Sequence, residues 1–289
     1  MNAFFFGLGY SSTSASIQMR ISGQYAVIAG TVRTAEKADM LQAEGLSAHV
    51  FDGTAPCATL GTDLQAATHV VLSIAPGEAG DPALVHHRRD LDAARNLEWL
   101  CYYSTVGVYG DFGGAWIDES APLVPRNDRS DRRVLAEQAW RDYAQERGVP
   151  LCILRLAGIY GPGRSTFDKL RDGTARRVIK PGQVFNRIHV EDIGRITALA
   201  ADRRLDGTFN LADDEPAPPQ DLVTYAADMM GITPPPEVPF EEAEFTPMQK
   251  SFYKDNKRVS NAAIKQALGV ELLHPNYRQS LNSIWEAEK

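Results

Sequence analysis

Cysteine is scarce in this 289-residue chain, and Cys57, Cys101 and Cys152 stand far apart. No CxxC pair is formed, which excludes the short-spaced thiol sets of zinc ribbons and dithiol centres. The three read as small core residues of a reducing compartment, so the cytoplasm is the expected location. An excess of positive charge is also lacking: 30 Lys and Arg face 37 Asp and Glu, for a formal charge of -7. Nucleic acid, which is held by concentrated cations, is therefore not an expected partner. The apolar opening Met-Asn-Ala-Phe-Phe-Phe ends at Gly7 without a basic segment before it. It is too short for a signal h-region or a membrane span, and no membrane association is expected. A His-Glu-x-x-His helix, a Gly-Lys-Ser phosphate loop and paired carboxylates at glycosidase spacing are all missing, and no metal site is expected.

What is present is an alternation of short apolar runs with longer polar or amphipathic stretches, the pattern of βαβ units around a parallel sheet. Six runs are candidate strands: Ala3 to Phe6, Tyr25 to Gly30, Ala48 to Phe51, His69 to Ile74, Trp99 to Ser104 and Leu151 to Leu156. Unbroken runs such as Val70-Val71-Leu72 suit strands buried on both faces. Thr34 to Glu44 and Ser130 to Arg147 have helical composition and spacing, with Ser130 as a cap for the second and Gly45 and Gly148 as stops. The fold expected is α/β, a Rossmann-type doubly wound parallel sheet over residues 1–161. Residues 162–289 are expected to complete that core at about 184–212 and to form a smaller C-terminal substrate lobe.

Gly7-Leu8-Gly9-Tyr10-Ser11-Ser12 follows the first strand and opens into a helical stretch, the context in which a glycine pattern points to a dinucleotide. Gly7 makes the tight turn, Gly9 admits a pyrophosphate to backbone amides, and the helix N-terminus favours the negative charge. Ser12 stands at the third glycine position, with a hydroxyl able to donate to phosphate. The second strand ends in Gly30-Thr31-Val32-Arg33 rather than in an acid. An arginine there suits a 2'-phosphate, so NADP is favoured over NAD. Asp52 after the third strand is a candidate for the adenine amino group, and Ser73 and Ala75 after the fourth leave room for ribose and pyrophosphate. The cofactor-binding candidates are thus Gly7, Gly9, Tyr10, Ser11, Ser12, Thr31, Arg33, Asp52, Ser73 and Ala75.

Tyr103-Ser104-Thr105-Val106-Gly107-Val108-Tyr109-Gly110, then Asp118-Glu119-Ser120-Ala121-Pro122, resembles the extended short-chain dehydrogenase/reductases, the superfamily of sugar-nucleotide epimerases and dehydratases. The likeness continues through Leu154 to Arg164, Arg187-Ile188-His189-Val190-Glu191-Asp192 and Gly207 to Leu211. Active members carry a Tyr-x-x-x-Lys pair, and with Glu137 as the anchor these positions fall on Arg129 and Arg133. Thr105 matches the family's serine or threonine. Arginine cannot shuttle a proton as a lowered-pKa tyrosine does, although Arg133 remains suited to the nicotinamide ribose. The resemblance is to an atypical branch that keeps the cofactor motif and lacks the standard pair. It also implies a homodimer through the Ser130 to Arg147 helix, with Leu135, Ala139 and Trp140 as its apolar stripe.

Arg164, Arg187 and Arg258, with Lys257 beside the last, are candidates to recognise an anionic group on a small polar substrate. Tyr109 and Tyr160 are expected to shape loops, and His189, whose ring could titrate near neutrality, is expected to pack and hydrogen-bond below the site. Two functions stay open: an NADP-dependent oxidoreductase or epimerase-like enzyme, and a non-catalytic NADP-binding sensor or regulatory protein.

Overall fold

The computed structural model describes residues 1–289, apart from the side chains of Pro247 and Met248. In chain order the strands are β1 (Asn2–Phe6), β2 (Val27–Val32), β3 (Ser47–Val50), β4 (His69–Leu72), β5 (Trp99–Thr105), β6 (Trp116–Ile117), β7 (Leu151–Leu156), β8 (Gly158–Tyr160), β9 (Arg177–Ile179), β10 (Arg187–His189), β11 (Gly207–Leu211), β12 (Glu237–Pro239) and β13 (Arg258–Val259). The helices that matter below are α1 (Tyr10–Ile21), α2 (Ala35–Ala43), α3 (Gly61–Ala66), α4 (Pro82–Ala93), α5 (Asp128–Arg147), α6 (Thr166–Arg171), α7 (Val190–Asp202), α8 (Pro219–Met230) and a C-terminal helix, Tyr277–Ala287.

All six apolar runs become strands of one seven-stranded parallel sheet in the order β11-β7-β5-β4-β1-β2-β3. Register is set by pairs such as Phe4 with both Ala29 and Val70. Phe4, Phe6, Val70, Leu72, Leu100 and Trp140 bury fully in the core beside this sheet. This first compact unit comprises Met1–Val108, Pro125–Arg155 and Ile193–Phe209.

The second unit, Tyr109–Val124, Leu156–Asp192 and Asn210–Lys289, has its own core of Tyr160, Phe167, Leu222, Ala226, Tyr277 and Leu281. The division departs from the boundary expected at residue 161. Residues 109–124 and 156–161 belong to the second unit because β6 pairs with β13 and β8 pairs with β10, both in parallel. Hydrogen bonds to strands far along the chain decide their place, which local sequence does not record.

Helix α5 begins two residues earlier than expected and is capped by Asn127, whose side chain accepts from the Ser130 amide at 3.0 Å. Ser130 is buried inside the first turn instead of capping it. The helix stops at Gly148 in the left-handed conformation, φ 63°. The expected apolar stripe is divided: Trp140 is fully buried, whereas Leu135 is 70% exposed on the opposite side. Among the described residues no helix is long and apolar enough to cross a membrane.

Inside the first unit Glu137 of α5 is wholly buried. It accepts from Ser104 Oγ of β5 at 2.5 Å, from Arg155 Nη2 of β7 at 2.7 Å and from Arg141 Nη2 at 3.0 Å. Burial alone would raise its pKa, but Arg155, Ser104 and Arg141 outweigh it and hold the carboxyl below the usual carboxylate range. Removing one partner of such a pair leaves an uncompensated charge and costs about 3–5 kcal/mol. Arg155→Met is expected to lower unfolding free energy by about that amount in urea titrations. Because the native pKa is depressed, the Glu137 contribution is complete above the ordinary glutamate value of about 4.3 and is lost as pH falls through the native one. The variant is therefore expected to show a smaller loss of stability on acidification than the parent protein.

Candidate functional site

The turn after β1 is built by glycine and clamped by two hydroxyls. Gly7 adopts φ +96°, and a Cβ there would lie 2.8 Å from Ser73 Oγ. Its amide donates to Thr31 Oγ1 at 2.9 Å, and the Leu8 amide donates to the Thr31 carbonyl at 2.7 Å. From the other side Ser73 Oγ donates to the Gly7 carbonyl at 2.7 Å. Thr31 is fully buried. Thr31 and Ser73, both read from sequence as cofactor contacts, are thus placed as the supports of the loop that would make the contact.

Gly9 is the N-cap of α1, which has neither a side-chain cap nor an acidic residue in its first turn. A Cβ on Gly9 would meet no atom within 4 Å. The first amides of a helix have no partner within it and attract anions, so the donor set and the open space in front of Gly9 fit a pyrophosphate. Tyr10 is exposed and Ser11 half-buried at this mouth. Ser12 is 1% exposed, and its hydroxyl lies inaccessible with no partner among the described groups. The hydroxyl expected as a phosphate donor is therefore turned away from solvent. Helix α1 is packed hard from behind, since a Cβ on Gly194 of α7 would lie 2.3 Å from Ser14 Oγ.

Around this turn, Arg33 follows β2, is exposed, and forms neither a hydrogen bond nor an ion pair among the described residues. Asp52 follows β3. Its Oδ1 accepts from the Thr54 hydroxyl at 2.7 Å and the Thr54 amide at 2.9 Å, which hold the carboxyl below the usual range. Ala75, after β4, is exposed. A cavity of about 300 Å³ lined by Arg141, Val149, Asp206 and Thr208 lies instead beside the starts of β7 and β11. Ligands of open α/β sheets gather at the other edge, outside the carboxyl ends of the strands.

At the end of β5, Thr105 Oγ1 accepts from the Gly107 amide at 3.1 Å. Arg133 reaches in from α5 and donates to the Tyr103 carbonyl at 2.6 Å and the Tyr102 hydroxyl at 3.0 Å, with its guanidinium 5.6 Å from the Tyr102 ring centre. Burial pushes the Tyr102 and Tyr103 phenols up, so both stay protonated at neutral pH. Arg129 is exposed in the first turn of α5, with no hydrogen bond or ion pair among the described residues. Tyr102 escaped sequence reasoning because nothing in a run of strand aromatics says which one faces a helix. Glu137 and Arg155 escaped it as partners because 18 residues separate them.

In the second unit, Arg164 is exposed. Arg187 is not available as expected: it is buried and donates to the carbonyls of Phe185 and Ala217, each at 3.0 Å. A guanidinium taken out of water needs local acceptors, and these carbonyls supply two, both to Nη1. Lys257 is likewise buried, donating to the Gly110 carbonyl at 2.6 Å, while half-buried Arg258 donates to the Gly114 carbonyl. Tyr109 donates to Asn210 Oδ1 at 2.7 Å and Tyr160 to Ser280 Oγ at 2.5 Å, both inside the fold. His189 is 3% exposed, and burial pushes its pKa down to about 4.

A glycine turn at the end of the first strand of such a sheet, opening onto an uncapped helix, defines a dinucleotide-binding α/β protein. Residues 66–212 match the NAD dependent epimerase/dehydratase family, and the chain belongs to that family. A solved structure described as a functionally unknown conserved protein from Silicibacter pomeroyi DSS is 43% identical, with a TM-score of 0.89 over 99% of this chain and 98% of that one. Protein YeeZ of Escherichia coli (strain K12) is 32% identical over 55% of this chain and 56% of its own length. A 3-diazoavenalumate denitrifying reductase of a Streptomyces species is 28% identical over 45% of each chain. The chain thus spans about half the length of the curated relatives it matches.

The two glycines are expected to fail differently. Gly7→Ala, at positive φ against Ser73, should destabilise by about 1–3 kcal/mol in thermal or urea melts. Gly9→Asp should melt as the parent does, because its side chain meets open space, yet lose dinucleotide binding in calorimetry by placing a carboxylate at the α1 N-terminus. Unchanged binding in Gly9→Asp would show that the cofactor sits elsewhere.

Proposed function

We propose that this protein is an NADP-dependent oxidoreductase or epimerase-like enzyme acting on a small polar substrate. The observation that carries the cofactor reading is Arg33, a guanidinium without a partner among the described residues, at the end of β2 where NAD-preferring sites place an acid. In this reading Gly7, Gly9, Tyr10 and Ser11 form the pyrophosphate cradle, and Arg33 pairs with the 2'-phosphate. Asp52 reaches the adenine through the oxygen that Thr54 leaves open, and Ala75 leaves room for the ribose. The bound nicotinamide would supply or accept a hydride at its ring. Thr105 orients the reacting oxygen, and Arg133 holds the nicotinamide ribose in place of the family's lysine. Arg164 and Arg258 are the second unit's candidates for an anionic substrate group. The name of the Streptomyces relative, a reductase, supports hydride transfer as the reaction class. Free cysteines, with the Cys101 and Cys152 thiols side by side and unjoined, support a reducing compartment, and we assign the protein to the cytoplasm.

A second reading, a non-catalytic NADP sensor, draws on the environment of Arg133. A side chain committed to Tyr102 and Tyr103 that never deprotonates cannot take the lysine's part in lowering a tyrosine pKa. Restoring Arg129→Tyr with Arg133→Lys is expected to preserve cofactor binding without creating strong turnover of nucleotide sugars, because the family's substrate-orienting asparagine position falls on Gly158.

Calorimetry should give tighter binding of NADPH than NADH, and Arg33→Ala should weaken NADPH alone, by about tenfold or more for a lost charge-assisted hydrogen bond. NADH preference in the parent protein would overturn the assignment. Turnover of NADPH with carbonyl or diazo substrates favours the enzyme; binding with no turnover across such a panel favours the sensor. A homodimer through α5 is the proposed assembly, and Leu135→Glu on its exposed side is expected to shift sedimentation from dimer to monomer.

A further inference from the structure

The junction between β10 and α7 brings together three metal-ligating side chains that no local spacing announces. His189 ends β10, Glu191 lies in the first turn of α7, and His274 arrives from the segment preceding the C-terminal helix, 83 residues beyond Glu191. One ligand atom from each lies within 4.8 Å of the other two. The imidazole centres are 3.7 Å apart, and His274 Nε2 donates to Glu191 Oε2 at 2.8 Å. We propose that His189, Glu191 and His274 form a binding site for a divalent transition-metal ion of the zinc class, with at least one coordination position left to water.

Several independent features point to an ion here. His189 is 3% exposed, and its Nε2 has no hydrogen-bond partner among the described groups. Its other ring nitrogen accepts only a long contact, 3.3 Å, from the Glu191 amide. A buried polar nitrogen left without a partner is costly, and coordination would relieve that cost. His274 is buried too, while Glu191 is exposed, so the cluster has two desolvated nitrogens and a carboxylate at a solvent-facing entrance.

The supporting groups are in place. Asp192 accepts from the amides of Leu273 at 2.8 Å and His274 at 2.9 Å, which fixes the segment carrying the third ligand. Such outer contacts orient ligands in metal sites generally. Two imidazoles and one carboxylate are a recognised zinc donor set with an open fourth position, whereas calcium and magnesium require oxygen ligands. Bonds of about 2.0–2.1 Å in a tetrahedron place donor atoms roughly 3.3 Å apart, so atoms now within 4.8 Å need converge by no more than about 1.5 Å. The ion would take the place of the hydrogen between His274 Nε2 and Glu191 Oε2, with the ring's proton carried on Nδ1. Its consequence is structural, tying the start of α7 to the segment before the C-terminal helix. The proposal is independent of the cofactor reading, which concerns the first unit.

The test is titration of the full-length, chelator-treated protein with Co²⁺ and then Zn²⁺. One equivalent of Co²⁺ is expected to give the intense visible bands of low-coordinate cobalt, which Zn²⁺ abolishes by displacement. Glu191→Gln, at an exposed position, and His274→Gln are each expected to weaken Co²⁺ binding at least on the order of 10–100-fold. His86→Gln, outside the cluster, should leave binding unchanged. Thermal melts of the metal-free variants establish that they are folded, and Zn²⁺ should raise the melting temperature of the parent but not of Glu191→Gln. Absence of stoichiometric Co²⁺ uptake, equal affinity in the parent and Glu191→Gln, or loss of binding in His86→Gln would each overturn the site.

Discussion

The buried carboxylate of Glu137 is the constraint on which the first unit depends. It lies where β5, α5 and β7 meet, and it binds a hydroxyl from β5 and a guanidinium from β7. A charge taken out of water at that point is tolerable only when its partners are all in place. The pair therefore fixes the rotation of α5 about its axis, and with it the side chain one helical turn earlier, Arg133, which reaches the end of β5. Arg141, one turn later, extends the network to Thr208 of β11. The family's helix glutamate is thus a structural anchor, and what it anchors is the segment on which the standard acid–base pair would stand.

At the β1–α1 turn the same economy of polar groups divides the residues by role. Hydroxyls that look like ligand contacts in sequence, Thr31 and Ser73, are used to hold the loop, and Ser12 is folded inward. What remains at the mouth of the turn is backbone and an uncapped helix end. Such a surface is selective for an anion by geometry instead of by side-chain charge, since the macrodipole and the first amides act together.

The second unit treats its basic residues differently. Arg187 and Lys257 are buried and donate to backbone carbonyls, and Lys257 also pairs with Asp255. A cation so enclosed stiffens the loops it crosses and is withdrawn from any ligand, so a count of basic residues overstates the anion-recognising capacity of this unit. His189 is a desolvated ring tilted against that of His274.

Sequence by itself determined the sheet, its six leading strands, the glycine turn and the helix stops at Gly45 and Gly148, because each follows from periodicity or from a backbone conformation that few residues adopt. It also determined which residue types stand at Arg33, Arg129 and Arg133. Only the tertiary structure decided which polar groups face inward, as with Thr31, Ser12 and Arg187. It alone split the expected stripe of α5 between buried Trp140 and exposed Leu135, and assigned residues 109–124 to the second unit. It alone joined Glu137 to Arg155 and His274 to Glu191. The physical reason is common to all of these: local pattern records the conformation of the chain, whereas burial and pairing are set by segments that meet only after the chain has closed on itself.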